Sequence, residues 1–321
     1  MRDHFGRSIR YLRLSLTHAC AMRCVYCRPE GYATHRDKDE LTVDEIEAIV
    51  THMAAHGLAK VRLTGGEPTV RPDLLQIIER VARIPGIADL AMTTNGLTLA
   101  RQATALRDAG LKRINISIDS LDRRTFASIT GVDQLPRILE GIDAALAAQL
   151  RPVRLNTVVV RGHNTQDLPE LLEFAAAKGV EIRFIELMPM GPLHEKWHER
   201  FVSESEMRQI LASKVDFWRP LATGSESARR YTALLADGGQ ATVGFITAMS
   251  HPFCDQCDRM RIGAGGQLYP CLMDRPSGNI LAAVRPRFDP HLFDDLLRAG
   301  LEQKAAEHPA LGHAVMIELG G

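Results

Sequence analysis

Three cysteines stand in one short run near the start of the chain, Cys20-Ala-Met-Arg-Cys24-Val-Tyr-Cys27. A C-x3-C-x2-C spacing puts three thiolates on a single loop. Three protein ligands on a four-iron cube leave one iron uncoordinated by protein, and an open iron can bind a cofactor or a substrate. Zinc is the alternative: it commonly takes four ligands and His18 would be the fourth, although paired CxxC arms are the commoner zinc signature. The second group, Cys254-x2-Cys257-x13-Cys271, is again one ligand short of four, and His251 would complete a zinc ribbon. Arg259 and Arg261 follow Cys257 at alternate positions, so on a strand both face one side. Two guanidiniums beside an incompletely ligated cluster fit a polyanionic ligand held against an open iron. The bland alternative is a pair of surface arginines near a structural knuckle.

Four candidate strands carry an arginine amid apolar neighbours: Arg13, Arg62, Arg154 and Arg183. In a βα barrel helices cover the outer strand face, so a mid-strand arginine points into the lumen. Several buried cations need partners. These are either internal carboxylates, with Glu67, Asp119 and Glu186 as candidates, or a polyanion such as a triphosphate. Thr64-Gly65-Gly66-Glu67-Pro68 follows the second strand; its glycines allow a ligand close to the backbone, and Glu67 is placed to take an ammonium group. Thr93-Thr94-Asn95-Gly96 and Ser117-Ile118-Asp119 end the next two strands, so polar side chains gather at a ligand-lined mouth. Tyr26 fits an aromatic laid beside an adenine ring, or plain packing.

The elements that must position these residues alternate. The pattern predicts strands at 11–16, 61–64, 90–93, 113–118, 153–159 and 181–186, with helices at 43–55, 74–83, 99–109, 135–148 and 168–177 between them. Thr42 with Glu45 forms a capping-box pattern, and Gly57, Gly110 and Gly179 follow helical runs where C-terminal caps belong. This βα repetition implies a parallel α/β sheet. An incomplete (βα)6 TIM-type barrel is expected, an open doubly wound sheet being the other arrangement with this rhythm. The rhythm breaks at Pro189, Gly191 and Pro192, which divides the chain into 1–189, the barrel, and 190–321. The second region is an α+β part covering the open side, with a helix near 204–212, a strand near 241–247 and a last helix at 290–306.

Composition bounds the rest. The 321 residues are 45% hydrophobic, enough for a large core, and 39 basic residues balance 39 acidic ones. Bulk charge therefore points to neither nucleic acid nor a membrane surface. No apolar run approaches a membrane span and Met1-Arg2-Asp3-His4-Phe5 lacks a signal-peptide core, so a cytoplasmic protein is expected, where cysteines clustered this tightly serve metals instead of disulfides.

Together CAMRCVYC, LTGGEP, TTNG, NISID, FIELM, CDQCDRMR, Cys271 and the terminal Gly320-Gly321 resemble the radical S-adenosylmethionine superfamily and, within it, the GTP 3',8-cyclase family of molybdenum cofactor biosynthesis. The resemblance spans essentially the whole chain. It implies a lyase with two 4Fe-4S clusters, one on Cys20, Cys24 and Cys27 and one on Cys254, Cys257 and Cys271. By the same resemblance S-adenosylmethionine is cleaved to a 5'-deoxyadenosyl radical that abstracts the 3'-hydrogen of GTP, and ribose C3' then attacks guanine C8. Tyr26, Gly66, Glu67, Ser117 and Met188 match positions contacting S-adenosylmethionine. Arg13, Arg62, Thr93, Arg154, Arg259 and Arg261 match GTP contacts; Arg183 and the tail glycines Gly320 and Gly321 match residues implicated in the reaction. Arg154 stands where the family often has lysine, a fork in place of a point charge. The implied partners are GTP, an unidentified electron donor and the next enzyme, cyclic pyranopterin monophosphate synthase, with the protein a monomer or homodimer. A peptide-modifying radical enzyme would carry more C-terminal cysteines, and a zinc-binding interaction protein would be colourless.

Overall fold

The computed structural model describes residues 1–28, 39–222, 226–312 and 316–319. Its first half runs β1 (Tyr11–Ser15), α1 (Val43–Ala55), β2 (Lys60–Thr64), α2 (Leu74–Ala82), β3 (Asp89–Thr94), α3 (Leu99–Asp108), β4 (Arg113–Ser117), α4 (Arg123–Thr130), α5 (Leu135–Ala147), β5 (Val153–Val159), α6 (Leu168–Lys178) and β6 (Glu181–Glu186). The second half runs α7 (Trp197–Arg200), α8 (Glu204–Ile210), β7 (Val215–Pro220), β8 (Arg229–Leu235), β9 (Gln240–Ile246), β10 (Arg259–Ile262), β11 (Gln267–Tyr269), β12 (Gly278–Asn279), α9 (Leu281–Val284), α10 (Pro290–Glu302) and α11 (Met316–Leu319).

Two periodicities explain the packing. On α1, Ile46, Ile49, Val50 and Met53 form one buried stripe, and on α2 Leu74, Ile77, Ile78 and Val81 form another. They meet the strand face carrying Leu12 and Leu14, Val61 and Leu63, Leu90 and Met92, and Ile114 and Ile116, all buried. Each such side chain stabilises the fold by about 1.5–3 kcal/mol. The opposite strand face carries the polar and cationic residues. The capping box at α1 forms: Glu45 N donates to Thr42 Oγ1 at 3.3 Å, and Thr42 N to Glu45 Oε2 at 2.8 Å.

Strands β1 to β6 lie side by side in chain order, each parallel to the next. A doubly wound sheet needs a reversal of strand order, so the winding is that of a barrel. The region after Met190 adds strands to both edges of this sheet, β9 parallel beside β6 and β10 parallel beside β1. Beyond them β8 and β7 on one side, and β11 and β12 on the other, pair antiparallel. Among the described residues all twelve strands belong to one sheet.

Two expectations are corrected. Helix α4 went unread because its polar sequence, RRTFASIT, buries only one thin edge, Phe126, Ile129 and Thr130. The helix expected at 290–306 stops at Glu302, and the chain that follows carries Lys304 inward: its Nζ donates to the Arg259 and Pro270 carbonyls at 3.1 and 2.6 Å.

Candidate active site

The parallel register gathers the strand arginines. Across β10, β1 and β2 it sets Arg261 beside Arg13 and Arg13 beside Arg62; two residues earlier it sets Arg259 beside Tyr11. Farther along the sheet Thr93 neighbours Asn115, and Asn156 neighbours Arg183. Side chains at paired positions share a face. One cavity is lined by Arg13, Arg62, Arg183, Arg259 and Arg261, by Tyr26, Gly66, Glu67, Thr93, Ser117 and Met188, and by all six cysteines. Arg154 is outside that lining, and Gly320 and Gly321 lie outside the described residues. The helix before them reaches the cavity through Met316, while Leu319 is buried with Met190, Tyr269 and Met273.

The expected carboxylate partners of the arginines are corrected. Arg154 and Arg183 share Glu181 and Glu226: Arg183 Nε donates to Glu181 Oε1 at 2.5 Å and its Nη2 to Glu226 Oε2 at 3.0 Å, while Arg154 Nε reaches Glu181 Oε2 at 3.2 Å. Glu67 is held instead by the strand ends. Its Oε1 accepts from Thr69 N, Thr69 Oγ1 and Thr94 Oγ1, and its Oε2 from Asn95 N at 2.6 Å. Burial pushes its carboxyl up, and these donors oppose the shift. Asp119 takes Tyr26 Oη at 2.7 Å and Val158 N at 3.0 Å, with burial raising its carboxyl to about 6. Glu186 binds Ser250 and the Met249 and Glu204 amides.

The glycines of Gly65-Gly66 are explained by the neighbouring cysteine loop. A Cβ on Gly65 would stand 2.6 Å from the Thr17 carbonyl, and one on Gly66 2.5 Å from the Ala19 carbonyl. Gly66 N and Glu67 N donate to those same two oxygens at 2.6 and 2.8 Å. The loop carrying Cys20 thus packs closely on these glycines, which also line the cavity. At the second triad Arg7 does related work: it is paired with Asp3 at 2.6 Å and donates to the carbonyls of Cys254, Ala305 and Ala306.

Electrostatics favour an anionic occupant. Burial, then the neighbouring Arg261, holds the Arg13 guanidinium well below its usual range, and burial lowers Arg261 to about 10. Asn115 Oδ1 and Asn156 Oδ1 are buried without a hydrogen-bond partner among the described residues, and both residues line the cavity. Burial raises Cys20 to about 11 and Cys27 to about 12, so without metal these are protonated thiols that must release protons on ligation. Among the described residues the only three His, Cys, Asp or Glu ligand atoms within 4.8 Å of one another are not cysteine sulfurs. A tetrahedral zinc–thiolate edge is about 3.8 Å, and in neither triad do all three sulfurs lie within 4.8 Å of one another.

Sequence reasoning missed Tyr11, Asn115, Asn156 and His308 in the lining. The first three lie two residues from an assigned lumen position and follow from strand alternation. His308 follows α10 in irregular chain and carries no such signal.

The Radical SAM superfamily model matches residues 14–175, and the Molybdenum Cofactor Synthesis C model matches residues 180–310. A curated relative from Alkaliphilus metalliredigens named GTP 3',8-cyclase is 40% identical over 309 residues, 96% of this chain and 94% of its own. GTP 3',8-cyclase 1 of Pseudomonas aeruginosa is 42% identical over 308 residues, 95% and 93% of the two chains. The chain belongs to the GTP 3',8-cyclase family of radical SAM proteins. Membership in that family brings S-adenosylmethionine and two 4Fe-4S clusters as cofactors. A crystal structure of Streptococcus suis SuiB bound to S-adenosylmethionine superposes with TM-score 0.62 at 14% identity, covering 92% of this chain and 68% of that one. That likeness supports the partial TIM-type barrel of this family member.

Proposed function

We propose that this chain is a cytoplasmic GTP 3',8-cyclase of molybdenum cofactor biosynthesis and that the shared cavity is its active site. One observation carries the reading: both cysteine triads and five arginines line the same cavity. Held at the first triad and given one electron by a reductant, S-adenosylmethionine would supply a 5'-deoxyadenosyl radical that takes the 3'-hydrogen of GTP; bonding of C3' to guanine C8, followed by uptake of a second electron and a proton, would give 3',8-cyclo-7,8-dihydro-GTP.

Around that chemistry Cys20, Cys24 and Cys27 hold one cluster, and Cys254, Cys257 and Cys271 hold the other, against which the guanine base rests. Glu67 receives the methionine ammonium through Oε2, which accepts one donor within the described chain where Oε1 accepts three. Tyr26, oriented by Asp119, lies along the adenosine, with Gly66, Ser117 and Met188 completing that subsite. Arg13, Arg62, Arg259 and Arg261 cradle the triphosphate with Thr93. Arg154 acts from behind by sharing Glu181 and Glu226 with Arg183, which faces the reacting ribose. Gly320 and Gly321, outside the described residues, take the role in the reaction that the family resemblance implies.

We read β1–β6 and their helices as a (βα)6 partial barrel with functional units 1–189 and 190–321, the latter covering the open side. An electron donor fits the outer hollow beside Ala21, Arg23 and Val70, because Cys20 lines both that hollow and the inner cavity. The product passes to cyclic pyranopterin monophosphate synthase, and the enzyme works as a monomer or homodimer. The test is anaerobic incubation with dithionite, S-adenosylmethionine and GTP. Brown protein with about eight irons per chain and GTP-dependent 5'-deoxyadenosine is expected; 5'-deoxyadenosine formation indifferent to GTP refutes the substrate.

A further inference from the structure

Away from the cavity, His52 lies in the last turn of α1 and His56 at its C-cap, four residues on, and Asp294 meets them from α10. One ligand atom from each lies within 4.8 Å of the other two. His52 Nε2 is 2.7 Å from Asp294 Oδ1. His56 Nδ1 lies 2.9 Å from the His52 carbonyl. With Nδ1–H donating there, the ring takes the tautomer whose Nε2 offers a lone pair, the usual second contact of a metal-binding imidazole. The His52 ring is held by Phe288 and Phe293, each with its centroid 5.4 Å away.

The direct contact engages His52 and Asp294, and His56 adds only a through-space pull on the Asp294 carboxylate. Tetrahedral donors with bonds of about 2.0–2.1 Å sit roughly 3.3 Å apart, so an ion would part His52 and Asp294 from their 2.7 Å contact and draw the exposed His56 ring in from within 4.8 Å. We propose that His52, His56 and Asp294 form a site for a divalent transition ion of the zinc class, completed by water, that clasps α10 to α1. Two imidazoles and one carboxylate select such an ion over magnesium or calcium, which prefer oxygen ligands. The site is separate from both cysteine triads and would tie the C-terminal region to a helix of the barrel.

The probe is zinc alone, added to anaerobic protein with both clusters in place after treatment with a chelator and desalting. Calorimetry should show one zinc per chain at micromolar or lower Kd, with the iron count unchanged and the melting temperature raised. His56→Ala removes an exposed ring and should leave folding intact while weakening zinc at least tenfold; Asp294→Asn should do the same and abolish the melting shift. Absence of stoichiometric zinc, zinc taken up at the expense of iron, or either variant binding as tightly as the parent overturns the proposal.

Discussion

Tyr11 shows how a cationic cavity rewrites one side chain. Its hydroxyl accepts from Arg62 Nε, and the Arg259 guanidinium lies 5.9 Å from its ring centroid. Burial pushes the phenol up, but Arg62 and Arg13 outweigh it and bring it down to about 8. A depressed phenol is neutral below that pH and anionic above it. A triphosphate on the same guanidiniums would raise it again, so GTP binding above pH 8 takes up a proton and weakens as pH rises, by up to about tenfold per unit. Equilibrium GTP binding to the anaerobic protein from pH 7 to 9.5 should show that fall, and Tyr11→Phe should flatten it; an unchanged profile in the variant would remove Tyr11 from the substrate's surroundings. The residue was legible as a lumen position because it precedes Arg13 by two on a strand. Its charge state was not, since that depends first on Arg62, which alternation cannot align without the register of β1 against β2.

At the scale of elements, the turn after β2 and the loop after β1 act as one piece. Gly66 gives its N–H to the Thr17 carbonyl while its Cα faces the His18 and Ala19 carbonyls, so any side chain there displaces the strand of loop leading to Cys20. Gly66→Ala is expected to destabilise the protein by about 1–3 kcal/mol. It should also lower iron from about eight to about four per chain, with the second cluster's electron paramagnetic resonance signal retained. Full iron content in the variant would mean that the loop can shift without consequence. The turn was visible in the sequence as paired glycines, but the identity of the group they admit was not: a ligand and a neighbouring backbone impose the same steric demand. Helix α4 was obscured for a different reason. Its Asp122 cap and the left-handed Gly131, φ 72°, were local signals, yet too few apolar residues separate them for periodicity to register.

For the whole molecule the decisive property is that the second region extends both edges of the first region's sheet. β10 beside β1 brings Arg259 and Arg261 into line with Tyr11 and Arg13, and the same loop system carries Cys254 and Cys257 to the cavity. The βα rhythm announced parallel strands, but their unreversed order and the placement of β9 and β10 are long-range pairings that local patterns leave open. The chain end completes this closure, because Met316 lines the cavity and Leu319 packs against Met190, Tyr269 and Met273. Two truncations separate anchoring from chemistry. Removing Gly320 and Gly321 leaves Leu319 in place, so iron content and melting temperature should match the parent while cyclised product falls at least a hundredfold. Removing residues 316–321 also takes away the burial of Leu319, about 2 kcal/mol, and should lower the melting temperature as well as activity. A fully active enzyme lacking only the two glycines would reduce the tail to an anchor and return the whole burden of catalysis to Arg183 and the arginines of β1, β2 and β10.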